Sequence, residues 1–262
     1  MNREVSITSS QNPKLKKAIR LHDSRGRRQQ GRIILFGKAE ILRAQQSGLA
    51  ITELFTCADL LDDRKLIERL QPKEHFSLTK ELFQKLAFGQ RGDGLVAIGD
   101  RPNTEFSNFN LETTSLIVVL ESIEKPGNLG AVFRSAAAAG VDGIILVDAV
   151  TDIFHPNSIR SSLGNVFTIP NCCVEGEMCK ARLVESGFQL VATRVDGKQS
   201  YTDADLSVKT AIVLGSEAEG LSEIWTGPDV HPVTIPMTAN VDSLNIAMTS
   251  TLMVFEARRQ RR

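Results

Sequence analysis

Three short, uninterrupted apolar runs constrain the fold of this chain most strongly. They are LIVVL at residues 116–120, GIILV at residues 143–147 and AIVL at residues 211–214. A strand with one face in water alternates apolar and polar residues, whereas a strand covered on both faces is apolar throughout. Such runs are typical of a mainly parallel sheet with helices on both sides. The second half of the chain is therefore predicted to be an open α/β domain.

Alternating strand and helix patterns predict a first α/β domain over residues 1–100, a linker over residues 101–114, and a second domain over residues 115–262. The first domain is predicted to contain a basic helix within residues 5–30, strands at 32–36, 52–57 and 94–98, and helices at 39–46, 62–70 and 80–87. The second is predicted to contain strands at 116–120, 143–147, 166–169, 189–192, 211–214 and 233–235, and helices at 128–139, 177–185 and the C-terminus.

Positive charge is concentrated at the N-terminus, although the formal net charge of the 262 residues is zero. Residues 1–43 contain eleven lysines and arginines against three acidic residues, a local excess of eight. This asymmetry favours a polyanionic partner, because phosphate neutralisation is the main sequence-independent source of nucleic-acid affinity. The alternative is the solvated face of a basic helix. The candidate RNA-binding residues here are Lys14, Lys16, Lys17, Arg20, Arg25, Arg27 and Arg28.

The composition argues against a metal site and a membrane span. The four cysteines (Cys57, Cys172, Cys173 and Cys179) lack C-x-x-C spacing, and the histidines form no H-x-x-x-H pattern. No run approaches the roughly 18 apolar residues that a membrane helix needs, and the N-terminus shows no apolar signal segment. The sequence predicts a soluble, cytoplasmic protein with no metal and with reduced thiols.

Residues 233–257 predict a strand, a polar loop and a buried helix. The β-branched run ends at Pro236, and either Asp242 or Ser243 is predicted to be the helix N-cap. Asn245 then falls in the first turn, where free backbone N–H groups point towards the loop and suit a small ligand. The alternative is that the polar residues only cap the helix. Four apolar residues at helical spacing predict its buried face: Leu244, Met248, Leu252 and Phe255.

Two glycine-containing turns follow other predicted strands. Residues 126–130 (PGNLG) turn into a helix that carries Arg134, and Gly215 breaks a strand just before Glu217 and Gly220. Open α/β sheets bind ligands beyond the carboxyl ends of their strands, so both turns are candidate binding segments. The first is not the G-x-G-x-x-G dinucleotide fingerprint. Each turn alone is also compatible with an ordinary connection between a strand and a helix.

Together and in this order, the three segments resemble those of the SpoU/TrmH family of RNA 2′-O-ribose methyltransferases, within the SPOUT superfamily. The first motif of that family is matched by Asn128, Gly130 and Arg134. The second is matched by Gly215, Glu217 and Gly220, and the third by Ile235-Pro236-Met237 and Ser243-Leu244-Asn245. The basic N-terminal pattern is similar to the family's ribosomal-protein-like substrate domain in Ser9, Asn12, Pro13 and Arg27. The resemblance spans nearly the whole chain.

The resemblance implies an α/β protein whose C-terminal SPOUT domain has a mainly parallel sheet and a deep trefoil knot. A small α/β ribosomal-protein-like RNA-binding domain precedes it. It also implies a homodimer through the C-terminal domain, with each active site completed across the interface, and S-adenosyl-L-methionine bound in the knot. The implied cofactor-binding residues are Thr193, Leu214, Gly215, Gly220, Ile235, Met237, Leu244 and Asn245. The implied catalytic residues are Asn128, Arg134, Glu217 and Asn245.

The implied reaction is attack of a ribose 2′-hydroxyl on a sulfonium methyl group. The usual proposal for the family makes Arg134 the base, but a guanidinium stays protonated at ordinary pH. An alternative makes Arg134 a phosphate clamp, with Glu217 or water taking the proton. Glu217 is alternatively the partner that fixes Arg134 through a charge-assisted pair. Asn128 and Asn245 would orient the ribose and the cofactor.

Two positions depart from the family pattern. Ala247 stands where many members carry a serine or another small residue, and Asn157 stands where a basic residue is frequent, although Arg160 remains a candidate RNA contact. The predicted substrate is structured RNA, with rRNA favoured over tRNA because of the N-terminal domain. Alternatives are the same activity on tRNA, an inactive RNA-binding protein of the same fold, and a nucleotide-dependent oxidoreductase, for which the dinucleotide fingerprint is lacking.

Overall fold

The computed structural model describes residues 4–87, 93–238, 240–241 and 243–262. The chain divides into two compact units. The first contains Met1–Pro102 together with Phe154–Thr168, and the second contains Asn103–Ile153 and Ile169–Arg262. A short segment from the second half of the chain therefore folds as part of the first unit.

Strands and helices alternate through most of the chain. The strands are β1 (Glu4–Ile7), β2 (Arg32–Phe36), β3 (Ile51–Thr56), β4 (Glu74–Leu78), β5 (Leu95–Asp100), β6 (Leu116–Glu121), β7 (Gly143–Val147), β8 (Asn171–Val174), β9 (Gln189–Thr193), β10 (Gln199–Ser200), β11 (Thr210–Leu214) and β12 (Val230–Thr234). The helices are α1 (Pro13–Ile19), α2 (Ser24–Gln30), α3 (Lys38–Gln46), α4 (Lys65–Leu70), α5 (Lys80–Leu86), α6 (Pro126–Ala139), α7 (Pro156–Ser161), α8 (Gly176–Glu185) and α9 (Ile246–Gln260).

The first unit is built on a mixed sheet in the order β1-β4-β3-β5-β2. β4 runs parallel to β1 and β3, whereas β5 is antiparallel to β2 and β3. The core of this unit includes Leu15, Phe55 and Phe83. Helix α1 begins at Pro13 because the side chain of Asn12 accepts a hydrogen bond from the backbone N–H of Lys14 (2.8 Å). The capping residues read from the sequence therefore do start the basic helix.

The second unit is built on a seven-stranded sheet in the order β10-β12-β9-β11-β6-β7-β8. All six strand pairings described in this sheet are parallel. Its central strands are buried along their whole length, as the apolar runs predict. The predicted α/β class with a mainly parallel sheet is therefore confirmed, whereas the trefoil knot implied by the resemblance stays a prediction.

Local secondary structure differs from the prediction at several places. Residues 166–169 do not form a strand, because Asn165–Phe167 is a 3-10 turn and the next strand is β8. The sequence also does not predict β1, β4, β10 or α7. Strand β4 is hard to recognise because it includes His75, which is buried and lies 2.9 Å from the hydroxyl of Thr56. The partner that satisfies this polar side chain is 19 positions away.

The predicted linker packs against the second unit from Asn103 onwards. The carbonyl oxygen of Thr104 accepts a hydrogen bond from the backbone N–H of Cys173 (2.8 Å). Phe109 and Leu111 are buried in the core of that unit. A Cβ atom at Gly143 would lie 2.2 Å from the ring of Phe109, so a glycine is needed there to admit the ring.

Helix α9 buries the opposite face from the one predicted. Met253, Val254 and Ala257 are buried, whereas the predicted core residues Met248, Leu252 and Phe255 are 61%, 39% and 44% exposed. Both sets recur at helical spacing, so periodicity alone does not tell which one the sheet covers. Among the described residues, no helix is long and apolar enough to cross a membrane.

Arg27 is a buried structural residue of the first unit. Its Nη1 donates hydrogen bonds to the carbonyl oxygens of Leu21 (2.9 Å) and His22 (2.8 Å), which ties α2 to the chain that precedes it. The adjacent Gly26 is needed because a Cβ atom there would lie 1.8 Å from the carbonyl oxygen of Arg20. The side chain of Arg27 is 0% exposed, so the prediction that it contacts RNA is wrong.

We predict that Arg27→Gln lowers the free energy of unfolding of the first unit by about 2–4 kcal/mol, because the carbonyl oxygens of Leu21 and His22 lose their charged donor. The exposed neighbour Arg28 provides a matched control, and Arg28→Gln should change this free energy by less than about 0.5 kcal/mol. Urea unfolding, read through hydrogen exchange of amides in β2 and β3, measures both variants. Equal effects of the two substitutions would contradict the buried role of Arg27.

Candidate functional site

Four neighbouring parallel strands end at one edge of the second unit's sheet. In the order β12, β9, β11 and β6, they end at Thr234, Thr193, Leu214 and Glu121. Parallel strands place their carboxyl ends on a common edge, so the segments that follow them lie close together. The three segments identified in the sequence follow β6, β11 and β12, and they meet at this edge.

The carboxylate of Glu217 joins these three segments. Its Oε1 accepts hydrogen bonds from the side-chain amides of Asn128 on α6 and of Asn245 before α9, the latter at 2.7 Å. Its Oε2 accepts a hydrogen bond from the ammonium group of Lys125. That hydrogen bond raises the pKa of Lys125. Three of the four residues predicted to be catalytic, Asn128, Glu217 and Asn245, are therefore in direct contact.

Asn245 is itself the N-cap of α9. Its Oδ1 accepts a hydrogen bond from the backbone N–H of Ala247 (2.9 Å), which leaves the amide nitrogen free to donate to Glu217. The prediction that Ser243 caps the helix is wrong, and the alternative cap, Asp242, lies outside the described residues. Asn245 therefore caps the helix and also contacts Glu217, while its role in orienting the ribose and the cofactor stays a prediction.

The turn after β11 is held by a second carboxylate, Glu121, which is 4% exposed. Its Oε1 and Oε2 accept hydrogen bonds from the hydroxyl (2.6 Å) and the backbone N–H (2.8 Å) of Ser222. Ser216 and Gly220 exchange two backbone hydrogen bonds across the turn, of 3.0 and 3.1 Å. The turn that carries Glu217 is therefore fixed from both sides. Neither Glu121 nor Ser222 is recognisable from the sequence as a site residue, because the only signal is that each lies near a predicted motif.

A cavity of about 520 Å³ opens beside Glu217. Its lining includes seven of the eight residues predicted to bind the cofactor: Thr193, Leu214, Gly215, Gly220, Ile235, Met237 and Leu244. The eighth, Asn245, lies next to the lining residues Leu244 and Ile246. The volume lies within the range of roughly 300–1,000 Å³ that is usual for sites of small molecules and cofactors.

The lining of the cavity also includes two charged residues that belong to none of the predicted motifs. Arg194 and Asp196 both line it, and the Nε of Arg194 donates a hydrogen bond to Oδ1 of Asp196 (3.0 Å). This hydrogen bond holds the pKa of Asp196 below its ordinary value, so the carboxylate is ionised at neutral pH. Arg194 and Asp196 follow β9, and no glycine-rich turn or other motif marks the carboxyl end of that strand in the sequence.

Arg134, the fourth residue predicted to be catalytic, is not part of this cluster. It is exposed on α6, it does not line the cavity, and it forms no hydrogen bond or ion pair within the described ranges. The predicted ion pair between Arg134 and Glu217 is therefore not formed, since Lys125 is the cation on that carboxylate. Arg134 shares one face of α6 with exposed or half-buried small residues, namely Gly127, Ala131 and Ala138.

The predicted RNA-binding residues differ in how available they are. Six of these residues have exposed side chains, namely Lys16, Lys17, Arg20, Arg25, Arg28 and Arg160. Lys14 instead pairs with Glu74 and with Glu53, and the hydrogen bond to Glu74 raises its pKa. Arg27 is buried, as described above. The described part of the chain contains no group of three or more His, Cys, Asp or Glu residues that could hold a metal ion.

Comparison with known protein families finds two matches along the chain. Residues 115–255 match the SpoU rRNA Methylase family, and residues 12–97 match the MRM3-like substrate binding domain. The two matches together cover most of the sequence.

Known proteins resemble the chain over most of its length. It is 34% identical, over 98% of its length and 94% of the relative, to a protein of Synechocystis named an uncharacterized tRNA/rRNA methyltransferase. It is 30% identical, over 72% of its length and 68% of the relative, to the 23S rRNA (uridine(2479)-2'-O)-methyltransferase of Streptomyces viridochromogenes. The crystal structure of an AdoMet-bound rRNA methyltransferase from Sinorhizobium meliloti superposes with a TM-score of 0.88 at 26% identity, covering 98% of both chains.

We predict that Gly215→Ala displaces the turn that carries Glu217 and lowers the free energy of unfolding of the second unit by about 2–4 kcal/mol. A Cβ atom at position 215 would lie 2.2–2.4 Å from backbone atoms of Gly220 and Leu221, which cannot move aside cheaply. Gly127→Ala is the control, because a Cβ atom there meets nothing within 4 Å. Thermal and urea unfolding measure both. A Gly215→Ala protein as stable as the control would contradict the close approach.

Proposed function

Since the chain belongs to the SpoU rRNA methylase family, we propose that it transfers a methyl group from S-adenosylmethionine to a ribose 2′-hydroxyl of RNA. The observation that carries this proposal is the convergence of three separate segments on Glu217 at the rim of the cavity. The names of the relatives support it, since one transfers a methyl group to a uridine 2′-oxygen and another contains bound AdoMet.

The residues around the cavity fit the cofactor. The backbone of the turn from Gly215 to Gly220 can approach a ligand closely, and Ile235, Met237 and Leu244 supply an apolar wall. When bound, S-adenosylmethionine supplies an electrophilic methyl group on a sulfonium centre. We propose that the cofactor-binding residues are those predicted from the sequence, together with Arg194 and Asp196 as polar contacts.

Glu217 is the proposed proton acceptor for the ribose 2′-hydroxyl. A carboxylate is a better proton acceptor at neutral pH than a guanidinium, which stays protonated. Asn128 and Asn245 both donate to Oε1 and so fix the orientation of the carboxylate. Alignment of an already oriented hydroxyl with the methyl group supplies much of the rate enhancement that such a reaction needs.

Arg134 is the proposed phosphate clamp, and it acts in the site of a partner subunit. Its lack of contact with Glu217 is explained if the enzyme is a homodimer whose interface contains the exposed faces of α6 and α9. These helices pack against each other, and Nη1 of Arg258 donates to the carbonyl oxygen of Ala138 (2.7 Å). The exposed stripe of Met248, Leu252 and Phe255 on α9 supplies the apolar area that such an interface needs.

The proposed substrate is rRNA. The Streptomyces viridochromogenes relative acts, by its name, on 23S rRNA. The match of residues 12–97 to a substrate binding domain also supports the proposal, since that region would bind the RNA. We assign RNA binding to residues 1–100, using the exposed cations and Arg160, and catalysis to residues 115–262. A cytoplasmic location is part of the same proposal, because it would give the enzyme access to rRNA.

The proposed function is tested with tritium-labelled S-adenosylmethionine, the full chain, and unmodified 23S rRNA and tRNA transcribed in vitro. We expect label in 23S rRNA and a 2′-O-methylated nucleotide after digestion. Label in tRNA alone would show that the substrate is tRNA and not rRNA. Cofactor binding without transfer to either RNA would favour an inactive RNA-binding protein. Mapping 2′-O-methyl sites in RNA from cells with and without the gene then identifies the position.

We predict that Arg134→Ala lowers kcat at least about 100-fold and leaves cofactor affinity within about twofold, because Arg134 does not line the cavity. Arg182→Ala, an exposed arginine on α8, is the control. Mixing equal amounts of Arg134→Ala and Glu217→Gln subunits should restore about a quarter of wild-type activity, since each mixed dimer contains one intact site. An inactive mixture would mean that Arg134 serves its own subunit.

We predict that Leu252→Glu converts the dimer to monomers, because the charge would lie in the apolar interface. Val184→Glu on α8 is a close control, since Val184 is 38% exposed and Leu252 is 39% exposed. Sedimentation velocity measures the mass of each variant. Monomers for both, or dimers for both, would show that the exposed stripe of α9 does not form the interface.

A further inference from the structure

Lys125 neutralises the carboxylate on which the proposed reaction depends. Its ammonium group donates to Oε2 of Glu217, while Oε1 is occupied by Asn128 and Asn245. A carboxylate has about four lone-pair directions, so three are filled. The ammonium group therefore occupies Oε2, the carboxylate oxygen that the two amides leave open. A lysine that stayed there would compete with a substrate hydroxyl for this oxygen.

Lys125 is also the donor that can leave Glu217 most easily. Its side chain is 67% exposed, whereas the side chain of Glu217 is 28% exposed. Lysine carries its charge on a flexible stem, and an exposed ion pair contributes little to stability. By contrast, Asn245 is held by the backbone of α9 and Asn128 by its place on α6. The two amides can therefore keep the carboxylate in position after the ammonium has moved away.

A small crevice adjoins the cavity at Glu217. Lys125, Asn128 and Glu217 line it, and Ser216, Glu217 and Ile246 line both the crevice and the cavity. Glu217 thus forms part of the wall between them. The crevice itself has a volume of only about 10 Å³, but RNA docked over its mouth would meet the exposed ammonium group of Lys125 beside Glu217.

We propose that Lys125 exchanges Glu217 for a phosphate of the target RNA and thereby releases the carboxylate as the proton acceptor. This inference rests on the proposed function. In the reaction, the 2′-oxygen forms a bond to the methyl carbon, the carbon–sulfur bond breaks, and its electron pair stays on sulfur. The hydroxyl proton passes to Glu217, which becomes a neutral carboxyl group and later returns the proton to water. The ion pair with Lys125 thus keeps Glu217 blocked until RNA is bound.

The first test is the salt dependence of RNA binding. Filter binding of unmodified 23S rRNA to Lys125→Gln should give a slope of log K against log salt that is smaller by about 0.7 than that of the wild type, as expected for one lost contact to single-stranded RNA. Lys209→Gln is the control. Lys209 lies just before the start of β11, with its ammonium group over the ring of Phe188, and it does not line the crevice. An unchanged slope for Lys125→Gln would overturn the proposal.

The second test asks whether Lys125 contacts a phosphate of the RNA or only holds Glu217 in position. With 23S rRNA, Lys125→Gln should lower kcat/KM about tenfold, with most of the loss in KM, because the carboxylate is still held by two amides. A loss in kcat with unchanged KM would show that Lys125 only positions Glu217, and it would overturn the proposal. The salt slope requires no methyl transfer. Lack of methylation by the wild type would therefore count against the proposed function, while the slope would still decide whether Lys125 contacts phosphate.

Discussion

The three hydrogen bonds accepted by Glu217 are the constraint on which the rest of the site depends. Two of the donors, Asn128 and Asn245, lie 89 and 28 positions away in the sequence. A parallel sheet whose neighbouring strands end at one edge brings these segments to the same carboxylate. The buried apolar strands therefore serve the chemistry indirectly, since they set the positions of the three segments.

The structure supports Glu217 through contacts that do not touch a substrate. Glu121 holds Ser222, the two backbone hydrogen bonds between Ser216 and Gly220 close the turn, and the absence of a side chain at Gly215 lets the turn fold back on itself. Residues that fix the orientation of a functional group in this way commonly matter as much as the group itself. The turn on the cofactor side is thus held by several contacts, whereas the side chain of Lys125 is 67% exposed.

The sequence predicts what depends on local pattern and misses what depends on distant partners. The buried strands β6, β7 and β11 are recognisable because an apolar run needs no partner to be identified, and the motif residues Asn128, Glu217 and Asn245 are recognisable by their spacing. The pairing of Lys125 with Glu217 and the burial of Arg27 depend on contacts that no local pattern indicates. Helix α9 has two apolar stripes, and only the position of the sheet and of α6 decides which is covered.

A crystal structure with S-adenosylhomocysteine and an RNA fragment that contains the target ribose tests the central claim most directly. The account predicts that the target 2′-oxygen lies about 2.6–3.2 Å from a carboxylate oxygen of Glu217, the distance at which a proton can be transferred. Asn128 and Asn245 should still hold Oε1 in that complex. A 2′-oxygen whose nearest acceptor is another group, with Glu217 turned away from the ribose, would contradict the account.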